Sequence, residues 1–243
     1  MRKVKLYALG FIYTNLIWAF LFILLDKPVI PNPIYVYASF SSFFQDGLAV
    51  HMFVSLYRIF AGIAISLVLG IPVGYLITQS NIWSSVLTPF VYFTYPVPKT
   101  ALLPIIMILF GLGDCSKITL IALILIFQVI VTVRDGILNI SKEYIDCANN
   151  YGASRMQTFW FVILPSVLPE VLTSIRLSIG TALAVLFFAE GYGTSMGLGY
   201  FILDAWSIID YVKMFRGILV LGLAGVSLFI IIDWLENRLL DWR

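Results

Sequence analysis

Few residues in this chain are equipped for chemistry, and their spacing excludes most of it. His51 is the only histidine, and the two cysteines, Cys115 and Cys147, form no CxxC or Cys/His pattern that would hold zinc or attach haem. No paired acids, histidine cluster or nucleophile beside a base stands out as a catalytic constellation. No GxxxxGK[ST] phosphate loop occurs. We therefore expect no catalytic residues, no metal and no cofactor held by this chain. What remains is charge set inside apolar sequence: Arg58, Lys99 and Glu190. An ionisable group within a membrane span is a functional hypothesis by default, because it faces water, a partner or cargo. Lys99 lies where Pro96, Pro98 and Pro104 interrupt an apolar run. Glu190 closes another run, ahead of the glycine-rich "GYGTSMGLG". Positive groups along a path attract an anionic or electron-rich solute by Coulomb's law, so Arg58 and Lys99 are candidates for the lining of a translocation path, and Glu190 is a candidate by its place before a glycine-rich loop at the path's mouth. The competing readings are a snorkelling lysine and, at the glycines, a nucleotide cradle, which no preceding strand supports.

The elements that must position these groups are membrane spans. Of the 243 residues, 61% are hydrophobic and 12% charged, with a mean hydropathy of +0.99. A soluble domain carries about 25% charged residues. Apolar runs of about 20 residues fall at Leu6–Leu25, Val50–Ile77, Ile82–Phe110 (broken by "YPVPKTALLP"), Ser116–Val133, Val167–Ala189 and Met214–Leu235. They predict an all-α integral membrane protein of about six transmembrane helices, because an open sheet cannot satisfy its backbone in lipid. The first run is too long for a signal peptide. The stretch Pro28–Leu48 reads as an outer loop with a short interfacial helix. With the N-terminus inside, eight lysines and arginines fall on the cytoplasmic side (Arg2, Lys3, Lys5, Arg134, Lys142, Arg155, Arg238, Arg243) and three outside (Lys27, Lys117, Lys213). The positive-inside rule then puts both termini in the cytoplasm. Cys115 and Cys147 end on opposite sides of the membrane, too far apart to pair. Span two carries Gly62, Ser66, Gly70 and Gly74 at steps of four, a helix-packing face. Arg176 and Glu170, near the inner end of span five, read as headgroup anchors or partners of the adjacent loop. We read residues 1–243 as a single permeating domain, with its core at about 50–235.

The longest cytoplasmic loop, about 134–165, is unlike its surroundings: "RDGILNISKEYIDCANNYGASRMQTFWFVILP". Ser141 is placed to cap a short helix through about Asn150. Gly152 permits a sharp reversal. A second short helix carries Met156, Phe159, Trp160 and Ile163, and Pro165 is expected to end it. The result is a helix-turn-helix at the membrane surface with an apolar face to cover.

This pattern resembles the coupling loop of binding-protein-dependent ABC importer permeases. The family signature is Glu-Ala-Ala, three residues, Gly, about nine residues, an aliphatic residue, one more, then Leu-Pro. Here Asp146-Cys147-Ala148, Gly152, Val162 and Leu164-Pro165 fill those places, with Asp for Glu and Cys for Ala. "SLYRIFAGIAISLVLGIPVG", "YPVPKTALLPIIMILFGLGDCSKI" and "AEGYGTSMGLGYFILDAW" resemble segments of the nitrate/sulfonate/taurine/bicarbonate branch, which also includes vitamin-precursor carriers. The resemblance implies a coupling helix between spans four and five. It assigns ATPase coupling to Asp146, Cys147, Ala148, Gly152, Ala153, Phe159, Leu164 and Pro165. It also implies a second, identical permease subunit, a cytoplasmic ABC ATPase dimer that binds ATP and Mg, an external solute-binding protein, and a bacterial-type inner membrane. Cargo is expected to be a small organic or oxoanion, sulfonate- or nitrate-like; the alternatives are an aromatic or heterocyclic vitamin precursor or, in another class, a stand-alone secondary transporter. No nucleic-acid partner is expected.

Overall fold

The computed structural model describes residues 2–240, and side chains from residue 8 onward. Arg243 and the side chains of Arg2, Lys3 and Lys5, which entered the charge count, lie outside the described residues. Helices dominate the described chain, and it has no strand. In order they are α1 (Arg2–Leu25), α2 (Pro33–Ala38), α3 (Leu48–Gln79), α4 (Asn81–Thr94), α5 (Leu103–Phe110), α6 (Asp114–Leu138), α7 (Lys142–Asn150), α8 (Arg155–Thr158), α9 (Leu164–Glu190), α10 (Leu198–Ser207) and α11 (Tyr211–Leu239). Among the described residues five stretches are long and apolar enough to cross a membrane: Ala8–Leu25, α3, α6, Arg155–Glu190 and α11. The predicted third span is not one straight helix. Asn81–Thr94 and Lys99–Phe110 meet at 85°, so the pair is a sixth span only if counted as broken. Pro96 and Pro98 lie in the break and Pro104 at the start of α5; proline lacks a donor and clashes with the preceding turn.

Pro165 does not end the second loop helix, as its sequence position suggested. α8 runs through a π-helical turn, Phe159–Ile163, straight into α9. A π turn widens the hydrogen-bond ring to i→i+5, and a proline at the start of the following α segment needs no donor. The loop and the fifth span therefore form one continuous rod, Arg155–Glu190. α10 is a helix that the sequence analysis did not anticipate in the glycine-rich region.

The chain packs as two compact units, one holding the chain up to Ser55 with Glu190–Ala224, the other Leu56–Ala189 with the chain from Gly225 on. In the first, Trp18 stacks on Phe215 with centroids 5.2 Å apart. Arg216, 2% exposed, bonds the Ser39 carbonyl, the Ser42 hydroxyl and the Asp46 carboxylate, bracing the segment after α2. In the second unit α6 is the most deeply buried span, and Leu120, Ile121, Leu125, Val129 and Val133 lead its core. α3 approaches α6 through its small residues. A Cβ on Gly62 would stand 2.5 Å from Ile121 Cγ2, one on Gly70 2.8 Å from Val129 Cγ1, and one on Gly74 2.8 Å from Val133 Cβ. Ser66, also buried, turns its hydroxyl back to the Ile63 carbonyl at 2.7 Å. Such close approach is what small residues in spans permit.

Candidate functional site

The loop between α6 and α9 is built from local instructions. α7 starts after Ser141, which occupies the cap position without a side-chain cap bond. Its far end closes as a Schellman turn: Gly152 N–H donates to the Asn149 carbonyl (2.9 Å) and Ala153 N–H to the Ala148 carbonyl (3.0 Å), with Gly152 at φ +78°. Space is not what demands glycine there, since a Cβ would meet nothing within 4 Å; the left-handed backbone does. Ser154 then opens α8 with a capping box: its hydroxyl accepts the Gln157 N–H (3.3 Å) and its own N–H donates to Gln157 Oε1 (2.8 Å).

α7 lies against α8 and the π turn. Phe159 packs on Tyr75 of α3, centroids 4.7 Å apart, and Ile163 is buried, which anchors the π turn to the span bundle. Outward, Asp146 and Cys147 are exposed, Ala148 and Ala153 half-buried. Tyr144, Tyr151, Met156, Trp160 and Phe161 all present large exposed surfaces, Tyr151 at 89%. A groove of about 350 Å³ between Tyr144, Cys147, Ala148, Phe161, Val162, Pro165 and Ser166 completes the surface. Of the predicted coupling residues, Asp146, Cys147, Ala148 and Gly152 thus surround one solvent-facing element, while Phe159, Leu164 and Pro165 belong to the rod that continues it.

The ionisable span residues have different surroundings. Arg58, 2% exposed, donates from Nε (2.8 Å) and Nη2 (2.6 Å) to Asp114 Oδ1 at the start of α6. Lys99, 7% exposed, donates to the Thr94 carbonyl (2.7 Å) and the Tyr95 carbonyl, and sits 4.6 Å from the Phe127 ring centroid. It takes up carbonyls left over at the end of α4, where the helix dipole also favours a cation. Glu190, 1% exposed, accepts from Ser55 Oγ (2.8 and 2.9 Å) and from the Gly199 N–H (2.8 Å). Ser55 Oγ accepts the Leu198 N–H (2.8 Å), and His51 Nδ1 accepts the Gly197 N–H (3.0 Å). Together these groups cap the first amides of α10, where the dipole favours a carboxylate. Gly197, at φ +118°, has no room for more: a Cβ would lie 2.2 Å from Glu190 Cδ. Each charge therefore meets groups of its own chain, and none of the three presents an open face.

Sequence reasoning did not single out Ser55, Asp114 or Lys117. His51, Ser55 and Arg58 at spacings of four and three on one apolar helix were the available signal for the first of these. Lys117, counted as an outer-loop charge, lies within α6 at 0% exposed, its ammonium donating to the Leu112 carbonyl at 2.5 Å. Arg176 pairs with Asp233 (2.5 Å) and Glu236 of α11, not with the loop. Cys115 and Cys147 are both free and exposed.

A multi-span bundle whose fifth span extends as a rod into an exposed helix-turn-helix has the architecture of an ABC importer permease. The comparisons agree. Residues 66–241 match the family model described as binding-protein-dependent transport system inner membrane component, and the chain belongs to that family. It is 34% identical over 201 residues to the taurine transport system permease protein TauC of Escherichia coli K12, covering 83% of this chain and 73% of TauC. It is 29% identical over 237 residues to the formylaminopyrimidine transport permease protein ThiX of Halalkalibacterium halodurans, covering 97% and 95%. Among solved structures, inward-facing MetNI methionine ABC transporter matches with a TM-score of 0.67 at 20% identity, over 79% of this chain and 95% of that one. The chain is a multi-pass membrane permease component of a binding-protein-dependent ABC importer, of the nitrate/sulfonate/taurine type.

Proposed function

We propose that the α7–α8 element docks on a cytoplasmic ATPase subunit and that the rod Arg155–Glu190 carries the resulting movement into the span bundle. The observation that carries this reading is the continuity itself. An element with five large apolar side chains exposed is joined to a span by a π turn, with no flexible linker between them. A coupling element must bias two discrete states of the bundle, and a rod transmits displacement where a loose loop would absorb it. On this reading ATP and Mg bind in the ATPase, two copies of this chain pair in the membrane, and a receptor protein delivers cargo from outside. Both termini are cytoplasmic, which requires reporters fused after Leu112 to face out and after Asn139 to face in.

The cargo follows from relatives named for taurine and formylaminopyrimidine transport: a small organic or oxoanion such as a sulfonate, with an amino-substituted heterocycle as the second reading. For Arg58, Lys99 and Glu190 the bonding pattern supports a structural role over a lining one. Lys99→Met decides: a lining role predicts lower uptake with assembly and ATP hydrolysis retained, a structural role predicts a less stable complex. The docking reading is tested by Trp160→Ala combined with Tyr151→Ala. The variant should insert at normal levels yet lose ATPase on co-purification, and full retention would remove this surface from the interface.

A further inference from the structure

The spans differ in what they expose. The outward residues of α1 include Phe11, Ile12, Leu16, Ile17, Phe20 and Ile23, as lipid requires, and the exposed Thr14 turns its hydroxyl back to the Gly10 carbonyl at 2.9 Å. The exposed positions of α9 are Ser166, Glu170, Thr173, Leu177, Gly180, Thr181, Ala184 and Phe188, one helical stripe whose first three members are polar. Polar groups in a span belong against water or protein. The polar part of the stripe opens onto a cavity of about 380 Å³ lined by Gln128 and Thr132 of α6 and by Glu170, Thr173, Ser174 and Leu177 of α9, a volume suited to a small solute. Glu170 and Thr173 offer the cavity acceptors, and Gln128 offers it a donor. Thr173 Oγ1 donates to the Pro169 carbonyl (2.9 Å), so toward the cavity it offers only lone pairs. The Glu170 side chain crosses to α6 at Gly136, where a Cβ would lie 2.5 Å from its Oε2, and it has no hydrogen bond or ion pair among the described residues. The arginines of these two helices bond elsewhere, Arg134 to Asp135 and Tyr92, Arg176 to Asp233 and Glu236. Gln128 accepts the Ser178 hydroxyl at 2.7 Å, leaving its NH₂ to donate.

We propose that this cavity is a contact site for the passing solute and that it selects a solute with an amino or ammonium pole. This rests on the importer reading above. Glu170 and Thr173 face the donor pole, and the Gln128 amide faces an acceptor pole such as a sulfonate or ring-carbonyl oxygen. A plain anion gains nothing from Glu170.

The test reads the cavity's field without requiring transport. In a Cys115→Ser, Cys147→Ser background, Thr173→Cys is labelled with a cationic and an anionic methanethiosulfonate of similar size. The permease is assembled with its ATPase in lipid nanodiscs. Thr173 stands one helical turn from Glu170, about 6 Å away. At an effective dielectric of about 40, the cationic-to-anionic rate ratio should fall at least about tenfold on adding Glu170→Gln and change little with Glu170→Asp, whose assembly is checked by ATP hydrolysis. Failure of both reagents to label, or an unchanged ratio in Glu170→Gln, overturns the site. Saturating 2-aminoethanesulfonate or 4-aminopyrimidine should slow labelling, and the stronger protector identifies the source of the amino pole. Equal protection by ethanesulfonate, or none by either amino compound, overturns the selectivity. ATP-driven uptake by the unaltered complex is measured separately; its absence would count against the importer reading and leave the labelling result standing.

Discussion

The loop around Gly152 and the corner around Glu190 are both glycine-bearing turns beside a helix, yet they are held together in opposite ways. In the loop the decisive bonds join residues three to five apart: Gly152 to Asn149, Ala153 to Ala148, Ser154 with Gln157. Its large side chains point outward. In the corner, Ser55 meets Glu190 across 135 positions and His51 meets Gly197 across 146, and the acid is buried. The first element folds by its own rules and offers its surface to something else. The second is where distant parts of the chain become one structure. Damage to the corner should therefore be read in folding, and damage to the loop in coupling.

The sharpest way to break this contrast is at Gly197. Gly197→Ala puts a methyl into the Glu190 carboxylate and forces a side chain onto φ +118°. Glu190→Ala leaves the Ser55 and Gly199 donors without their acceptor. Each should cost about 3–5 kcal/mol, the range for disrupting a buried charged network, seen as lost membrane yield or a large fall in Tm in detergent. Near-normal Tm for both would make the corner incidental. Gly74→Val should cost less, about 1–3 kcal/mol for overpacking, because the clash is with Val133 and the Ile130 carbonyl across α3 and α6; a thermal melt of the purified chain measures it. The smallest effect belongs to the loop. Ser154→Ala removes a capping box and should cost about 1 kcal/mol, with the same Tm within a few degrees and a measurable rise in the ATPase concentration needed for half-maximal assembly.

Legibility in the sequence followed the same division. The spans were readable because a 20-residue apolar run has few other meanings, and the turn at Gly152 because a helix-ending glycine is a local pattern; the Ser154–Gln157 capping box is as local but was not singled out, and the cap expected at Ser141 forms no side-chain bond. The end assigned at Pro165 failed because the π turn before it, Phe159–Ile163, absorbs the proline's missing donor and lets the helix run on. The proline break in the third run was visible, but the 85° bend was not. Charges in the spans were visible too. Their partners were not, because nothing near Arg58 in the chain names Asp114, and nothing near Glu190 names Ser55. Lys117 shows the same limit: an ordinary loop lysine by position, fully buried in the fold. The polar stripe of α9 was passed over because Thr173 and Gly180 look unremarkable until their exposure is known.

The central claim, that the loop carries the ATPase's movement into the spans, is tested most directly at Gly152. The position is exposed, with no atom within 4 Å of a methyl placed there, and its φ of +78° disfavours any side chain, so a large residue strains the turn and adds bulk to its outer side while the spans are left unaltered. Gly152→Trp is reconstituted with ATPase and receptor, and membrane level, ATP hydrolysis and uptake are measured on the same preparation. Normal membrane levels with ATPase lost or hydrolysis uncoupled, and no uptake, is the predicted result. Uptake at the unaltered rate, with hydrolysis still stimulated by the loaded receptor, would contradict it.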